Sequence, residues 1–225
     1  MYNIDVCINV SEEESGFKLQ HCLESLKNEP VNIVVEPAVP NDLGRARRNV
    51  AKRGTADYFC FVDPDDTIES GIFSGTLNQL MKDHPKMNAY YTNHMCHKEG
   101  IASRKWFNVL ETKPSAKMVK QMHHLVLYKR AFINKYLDNM IGLVVDEMRL
   151  INYECVLSGK VVGVDEIGYH WNIYETGAHK KALTMKNPDF YYNEVNRYIK
   201  LIKEKYPRGK TNQQTISWSP FKRRI

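Results

Sequence analysis

Apolar and polar positions follow two alternating patterns through the first eighty residues. Compact apolar runs at residues 5–10, 31–35 and 58–62 have the length and the Val, Ile and Phe content of buried strands. Between them, apolar side chains recur at helical spacing: Leu19, Cys22, Leu23 and Leu26, then Leu43, Ala46 and Val50, then Phe73, Leu77, Leu80 and Met81. Ser11, with Glu14 three residues on, has the form of a capping box opening the first of these helices. Strand and helix in strict alternation predict an α/β chain whose mostly parallel central sheet is covered on both faces.

The second half is less regular. Strands are predicted at residues 89–92, 124–128 and 160–164, and helices at residues 131–137 and 146–157, the latter stopped by Gly159. Asn187 and Pro188 have the form of a cap and first helical position. Tyr191, Val195, Tyr198 and Ile202 then form the apolar stripe of a long helix. Residues 207–225 are polar and basic, with no period.

Of the 225 residues, 43% are hydrophobic, which suffices for one well-packed domain and excludes a disordered chain. The longest apolar runs are far too short to span a bilayer, and the first residues, Met1-Tyr2-Asn3-Ile4-Asp5, lack the pattern of a secretory signal. Five dispersed cysteines (Cys7, Cys22, Cys60, Cys96, Cys155) suggest reduced thiols and a cytoplasmic setting. The net charge of +6 is unevenly placed: residues 176–225 carry 12 basic and 3 acidic side chains. Such an end suits a polyanion (nucleic acid, an anionic membrane surface or phosphorylated sugars) or is a solvated helix face.

The candidate chemistry is concentrated in Asp63-Pro64-Asp65-Asp66, directly after the third apolar run. In an open parallel sheet, ligands bind beyond the carboxyl ends of the strands. Three crowded carboxylates there repel one another unless a cation or hydrogen bonds offset the charge, and hard oxygen ligands suit Mg²⁺ or Mn²⁺. An Asx-rich turn that merely opens a helix is the plain alternative.

Residues 44–66, from Gly44-Arg45-Ala46-Arg47-Arg48-Asn49 through Tyr58-Phe59-Cys60-Phe61-Val62 to Asp63-Pro64-Asp65-Asp66, closely resemble the donor-binding half of GT-A glycosyltransferases of the family 2 type. Arg48-Asn49 matches the family's Arg-Asn pair, and Asp63, Asp65 and Asp66 match its D-x-D-D motif. The resemblance implies a single GT-A (Rossmann-like) domain over residues 1–180, with a basic C-terminal helix and tail, residues 181–225, packed on it. It implies a nucleotide-sugar donor held by Asn9, Glu36, Arg48, Asp63 and Asp65. Mn²⁺ or Mg²⁺ would sit on Asp65 with Asp63, and transfer would be a direct inverting displacement. Glu147 matches the catalytic base and Asp146 its partner, in reversed order. Arg48 would pair with the diphosphate or buttress Asp63. The chain departs from the family pattern in three places: Asn9-Val10-Ser11-Glu12 replaces the usual turn after the first strand, Glu36-Pro37-Ala38 replaces an acidic Gly-Ser loop, and Tyr174 falls nearest the family's late His, flanked by His170 and His179.

For the acceptor side, His170 and Trp171 are the candidates, since aromatic rings stack on sugars and bases alike, although core packing suits Trp171 equally. The acceptor is either a carbohydrate or lipid-linked sugar, or a hydroxymethylated base in bacteriophage-type DNA, which would be flipped from its stack. The alternative is an inactive GT-A-like module that binds nucleic acid or an anionic surface. A nucleotidyltransferase is disfavoured by the acidic Ser11-Glu12-Glu13-Glu14, which would repel a triphosphate. His94-Met95-Cys96-His97 is too tightly spaced for a four-ligand zinc pattern and is expected to hold surface histidines around a half-buried Cys. His123 and His124 are expected to point one in and one out.

Overall fold

The computed structural model describes residues 2–12, 16–98, 101–106, 114–143, 147–173 and 188–206. Eight strands form one sheet: β1 (Ile4–Val10), β2 (Asn32–Pro37), β3 (Tyr58–Phe61), β4 (Thr67–Ile68), β5 (Ala89–Lys98), β6 (Ile101–Trp106), β7 (Val126–Lys129) and β8 (Val161–Ile173). Their order is β2-β1-β3-β7-β5-β8-β4, with β6 added to β5. β1 pairs parallel with β2 and β3, and β5 pairs parallel with β8, whereas β7 enters antiparallel between β3 and β5. The expected mostly parallel sheet is therefore present, with β4, β6 and β7 reversed.

Helices cover both faces: α1 (Phe17–Leu26), α2 (Leu43–Arg53), α3 (Asn78–Asp83), α4 (Ala116–Gln121), α5 (Arg130–Ile133), α6 (Met148–Ser158) and α7 (Pro188–Lys205). Strand alternation divides the core. Phe59 and Phe61 of β3 and Tyr91 of β5 pack toward the face that includes Val50, Tyr153 and Tyr198. Tyr58, Cys60 and Tyr90 pack toward Cys22, Leu26 and Phe73. α7 belongs to the first core: Val195, Tyr198 and Ile202 are buried there, and Tyr198 stacks on Tyr153 of α6 at 5.3 Å. All five cysteines are free and buried. Among the described residues, no helix is long and apolar enough to cross a membrane.

Several elements differ from expectation. α1 begins at Phe17 with Gly16 as its cap, so Ser11 does not cap it, and Glu14 lies outside the described residues. β5 continues to Lys98 and β8 to Ile173, well past the predicted strands. The polar residues in these extensions hide the alternation, since several of them face one another rather than water. The third helix starts as a π-helical segment (Ile72–Leu77), and the Glu29 carboxylate accepts from the backbone N–H groups of Gly71, Phe73 and Ser74 at its start. The predicted helix at residues 131–137 is a short α5 followed by a 3-10 segment (Asn134–Met140).

Gly44 shows how closely α2 packs on that segment. A Cβ added there would lie 1.7 Å from the Met140 carbonyl oxygen, a backbone atom that cannot swing aside. Gly44→Ala is expected to destabilise the fold by about 1–3 kcal/mol, as overpacking does, measured by urea denaturation. An unchanged midpoint would show that the 3-10 segment yields freely.

Candidate active site

The end of β3 leads into an acid turn, residues 63–66, closed by an Asp66 N–H to Asp63 carbonyl hydrogen bond of 3.1 Å. β4 then pairs with the end of β8, Thr67 opposite His170 and Ile68 opposite Tyr169. The turn is thus held by strands on both sides. Its three carboxylates have different surroundings. Asp66 is buried and accepts from the Tyr169 hydroxyl at 2.7 Å and the Asn172 backbone N–H at 2.7 Å. The same Tyr169 oxygen accepts from the Asp63 N–H, and Asn172 Nδ2 donates to the Asp65 carbonyl. Asp63 and Asp65 are half-buried. With both its oxygens engaged, Asp66 locks the turn, while Asp63 and Asp65 present the hard oxygen atoms that suit Mg²⁺ or Mn²⁺.

Burial, followed by the charges of Asp63 and Asp65, raises the Asp66 pKa well above the ordinary 3.8. The sign follows from proton linkage. As pH rises past 3.8, the unfolded chain releases this proton while the folded chain keeps it. The stability that Asp66 contributes is therefore present at low pH and lost as pH climbs through the raised folded value. Asp66→Asn is expected to remove that slope. Relative to wild type, the variant gains more stability at pH 8 than at pH 4 in a melting-temperature series. Parallel profiles would contradict this.

Arg47 links the turn to the second acidic candidate. Its Nη2 lies 2.8 Å from Asp63 Oδ1 and its Nε 2.5 Å from Glu147 Oε1, and its guanidinium sits 5.0 Å above the Phe61 ring. The Arg47 side chain is 6% exposed and that of Glu147 is 4%. Burial works to lower the Arg47 pKa, but the facing charges of Asp63 and Glu147 outweigh it, and the net shift is upward. Glu147 immediately precedes α6. Asp146 lies outside the described residues, as do Tyr174 and His179.

The residue that buttresses Asp63 is thus Arg47, not Arg48. Arg48 turns to the exposed Asp138, to which its Nε donates at 2.8 Å, and Lys52 joins the same carboxylate. Helical phase is the reason: Arg47, Val50 and Ala51 share the buried stripe of α2, and Arg48 falls beside it. Asn9 and Glu36 stand side by side in register near the carboxyl ends of β1 and β2. Asn9 Nδ2 donates to the Ala46 carbonyl at 3.1 Å, and Glu36 pairs with Arg53 at 2.6 Å.

The acceptor-side candidates separate. His170 lies against His97 (2.9 Å) and Glu69 (2.7 Å), and Glu69 also lines a cavity of about 350 Å³ with Asp165 and Glu166. Trp171, the next residue, joins a different group: its ring centroid is 4.8 Å from His124, 6.2 Å from His123 and 6.3 Å from His94. His94 is buried rather than at the surface, and burial lowers its pKa to about 4. Cys96, expected to be half-buried, is fully buried. His123 and His124 do not diverge: their rings are 3.9 Å apart, and both approach His94. His124 has φ +59, a left-handed backbone that costs a non-glycine residue about 1–3 kcal/mol. It stacks on Tyr169 at 4.9 Å, so the histidine group adjoins the acid turn.

Three basic residues of the described part of this end have partners. On α7, Arg197 pairs with Glu194, Lys200 lies 3.9 Å from Glu204, and Lys205 donates to the Leu157 carbonyl. The basic residues from Arg208 onward lie outside the described residues.

No protein-family model matches the chain, and neither does any curated protein sequence. Solved structures do. Staphylococcus aureus TarS residues 1–349 in complex with UDP-GlcNAc aligns with a TM-score of 0.63 at 16% identity, over 89% of this chain and 66% of that fragment. The same fragment with UDP gives 0.61 at 15% identity, over 89% and 65%. The structure of TarS itself gives 0.60 at 12% identity, over 92% of this chain and 44% of that one. The chain thus spans under half the length of that TarS structure and just under two thirds of the fragment. At identities this low, TM-scores of 0.60 to 0.63 show a shared fold alone, and that fold is GT-A.

Proposed function

We propose that the chain transfers a sugar from a nucleotide-sugar donor to an acceptor hydroxyl with inversion. The observation that carries this is the division of labour in the acid turn. Asp66 is sealed into the sheet, Asp63 and Asp65 remain half-exposed beyond β3, and Arg47 joins Asp63 to Glu147. TarS structures with UDP-GlcNAc and with UDP share this architecture, which supports a uridine nucleotide as the donor's leaving group.

The oxygen donors of Asp63 and Asp65 fit Mn²⁺ or Mg²⁺, which when bound neutralises charge on the diphosphate leaving group. The chain's own residues do the rest. Arg47 fixes the Asp63 carboxylate by a charge-assisted contact. Asn9 and Glu36 line the nucleoside side. Glu147 takes the proton of the acceptor hydroxyl as its oxygen bonds to the anomeric carbon and the carbon–phosphate-oxygen bond breaks, releasing the nucleoside diphosphate. The acceptor is a glycan, a lipid-linked sugar or a hydroxymethylated DNA base. The last of these rests on the basic residues beyond Tyr206.

The test is a thermal-shift panel of UDP, GDP, CDP and dTDP, with and without Mn²⁺. A ligand at one hundred times its Kd stabilises by about 2.7 kcal/mol, whatever the acceptor. UDP with Mn²⁺ is expected to raise the melting temperature in wild type and not in Asp65→Ala. No shift with any nucleotide would overturn the donor site.

A further inference from the structure

We propose that His94, His123 and His124 form a second metal site, one that takes a borderline transition ion of the Zn²⁺ class. The three come from two separate stretches of chain, β5 and the connection before β7, and each offers a ring nitrogen within 4.8 Å of the others. Imidazole nitrogen suits Zn²⁺, Ni²⁺ and Cu²⁺, whereas the carboxylates of the acid turn suit Mg²⁺ and Mn²⁺. The two sites adjoin and differ in the ions they select.

Three features support nitrogen ligation here. His94 is buried in the sheet, with the rings of His123 and His124 5.5 Å and 4.6 Å from its own. His124 sits in a left-handed backbone conformation that turns its ring onto Tyr169 and beside His94. Tetrahedral Zn²⁺ with bonds of about 2.0–2.1 Å places its nitrogen ligands roughly 3.3 Å apart, so binding would draw the three rings together from a spacing of up to 4.8 Å. Three protein ligands leave the fourth position open, as in zinc sites that engage water or substrate. Trp171 borders all three rings, so its emission reports the site. This inference does not depend on glycosyl transfer, because it concerns other ligands and another class of ion.

The experiment uses the full chain stripped with a chelator. Zn²⁺ is titrated against a chromophoric chelator, and Co²⁺ is followed by its visible absorption and by quenching of tryptophan emission. Wild type is expected to hold one equivalent of Zn²⁺ and to give the intense visible bands of tetrahedral Co²⁺ without a thiolate charge-transfer band. His123→Ala and His94→Gln should each lose both signals, Asp65→Ala and His97→Ala should keep them, and Trp171→Phe should lose only the quenching. His123 is only partly buried, so its variant serves even if His94→Gln fails to fold. The proposal is overturned if wild type holds no Zn²⁺, if binding survives in both histidine variants, if a thiolate band implicates Cys96, or if Asp65→Ala abolishes the signals. That last result would place the ion in the acid turn. Failure here leaves the UDP and Mn²⁺ test untouched, and failure there leaves this one untouched.

Discussion

Arg47→Met is expected to destabilise the chain by about 3–5 kcal/mol, the usual cost of removing one partner of a buried ion pair. The loss falls mainly on Glu147, whose side chain is 4% exposed, since Asp63 at 39% keeps access to water. Methionine fills similar space over Phe61, so the loss reports charge more than volume. Arg47→Lys should fall between the two, because an ammonium keeps the charge but cannot fork toward both carboxylates. Adding Glu147→Gln to Arg47→Met should restore part of the stability, since it removes the stranded charge. Urea denaturation of the four proteins decides the matter. A wild-type midpoint for Arg47→Met would show that the bridge contributes nothing net to folding.

Glu147→Gln on its own tests the chemistry. The amide occupies the same space and still offers Arg47 an oxygen, but it cannot accept a proton. If Glu147 is the base, kcat falls by about 10²–10⁴, the range general base catalysis supplies. The Mn²⁺-dependent UDP shift should persist, in contrast to Asp65→Ala, which should lose it. A variant that turns over at the wild-type rate would leave Glu147 as the partner of Arg47 only.

The first three strands and the acid turn were legible because each is a local pattern: a compact apolar run, then charge. Helical phase separates Arg47 from Arg48 where the motif does not, because Arg47 lies three and four residues before Val50 and Ala51. The histidine group was not legible. His94 and His124 meet only because β7 inserts antiparallel between β3 and β5, and no local period encodes that insertion. The same holds for Asn172, whose backbone N–H reaches Asp66 across the β4–β8 pairing. β4 has two residues, too few to show any alternation. Long-range pairing decided each of these.

Because Tyr169 and Asn172 fasten the acid turn to β8, its shape does not wait for a ligand. An ion or nucleotide that binds there finds its partners already arranged and surrenders little loop entropy. Calorimetry should then show a small heat-capacity change for the ion, with none of the large signal that accompanies coupled folding. Preorganisation also makes the geometry brittle. Tyr169→Phe removes no charge and scarcely any volume, yet it releases one end of the turn and strands the buried Asp66 carboxylate, so its cost should appear in weakened ion affinity and in a lowered melting temperature together.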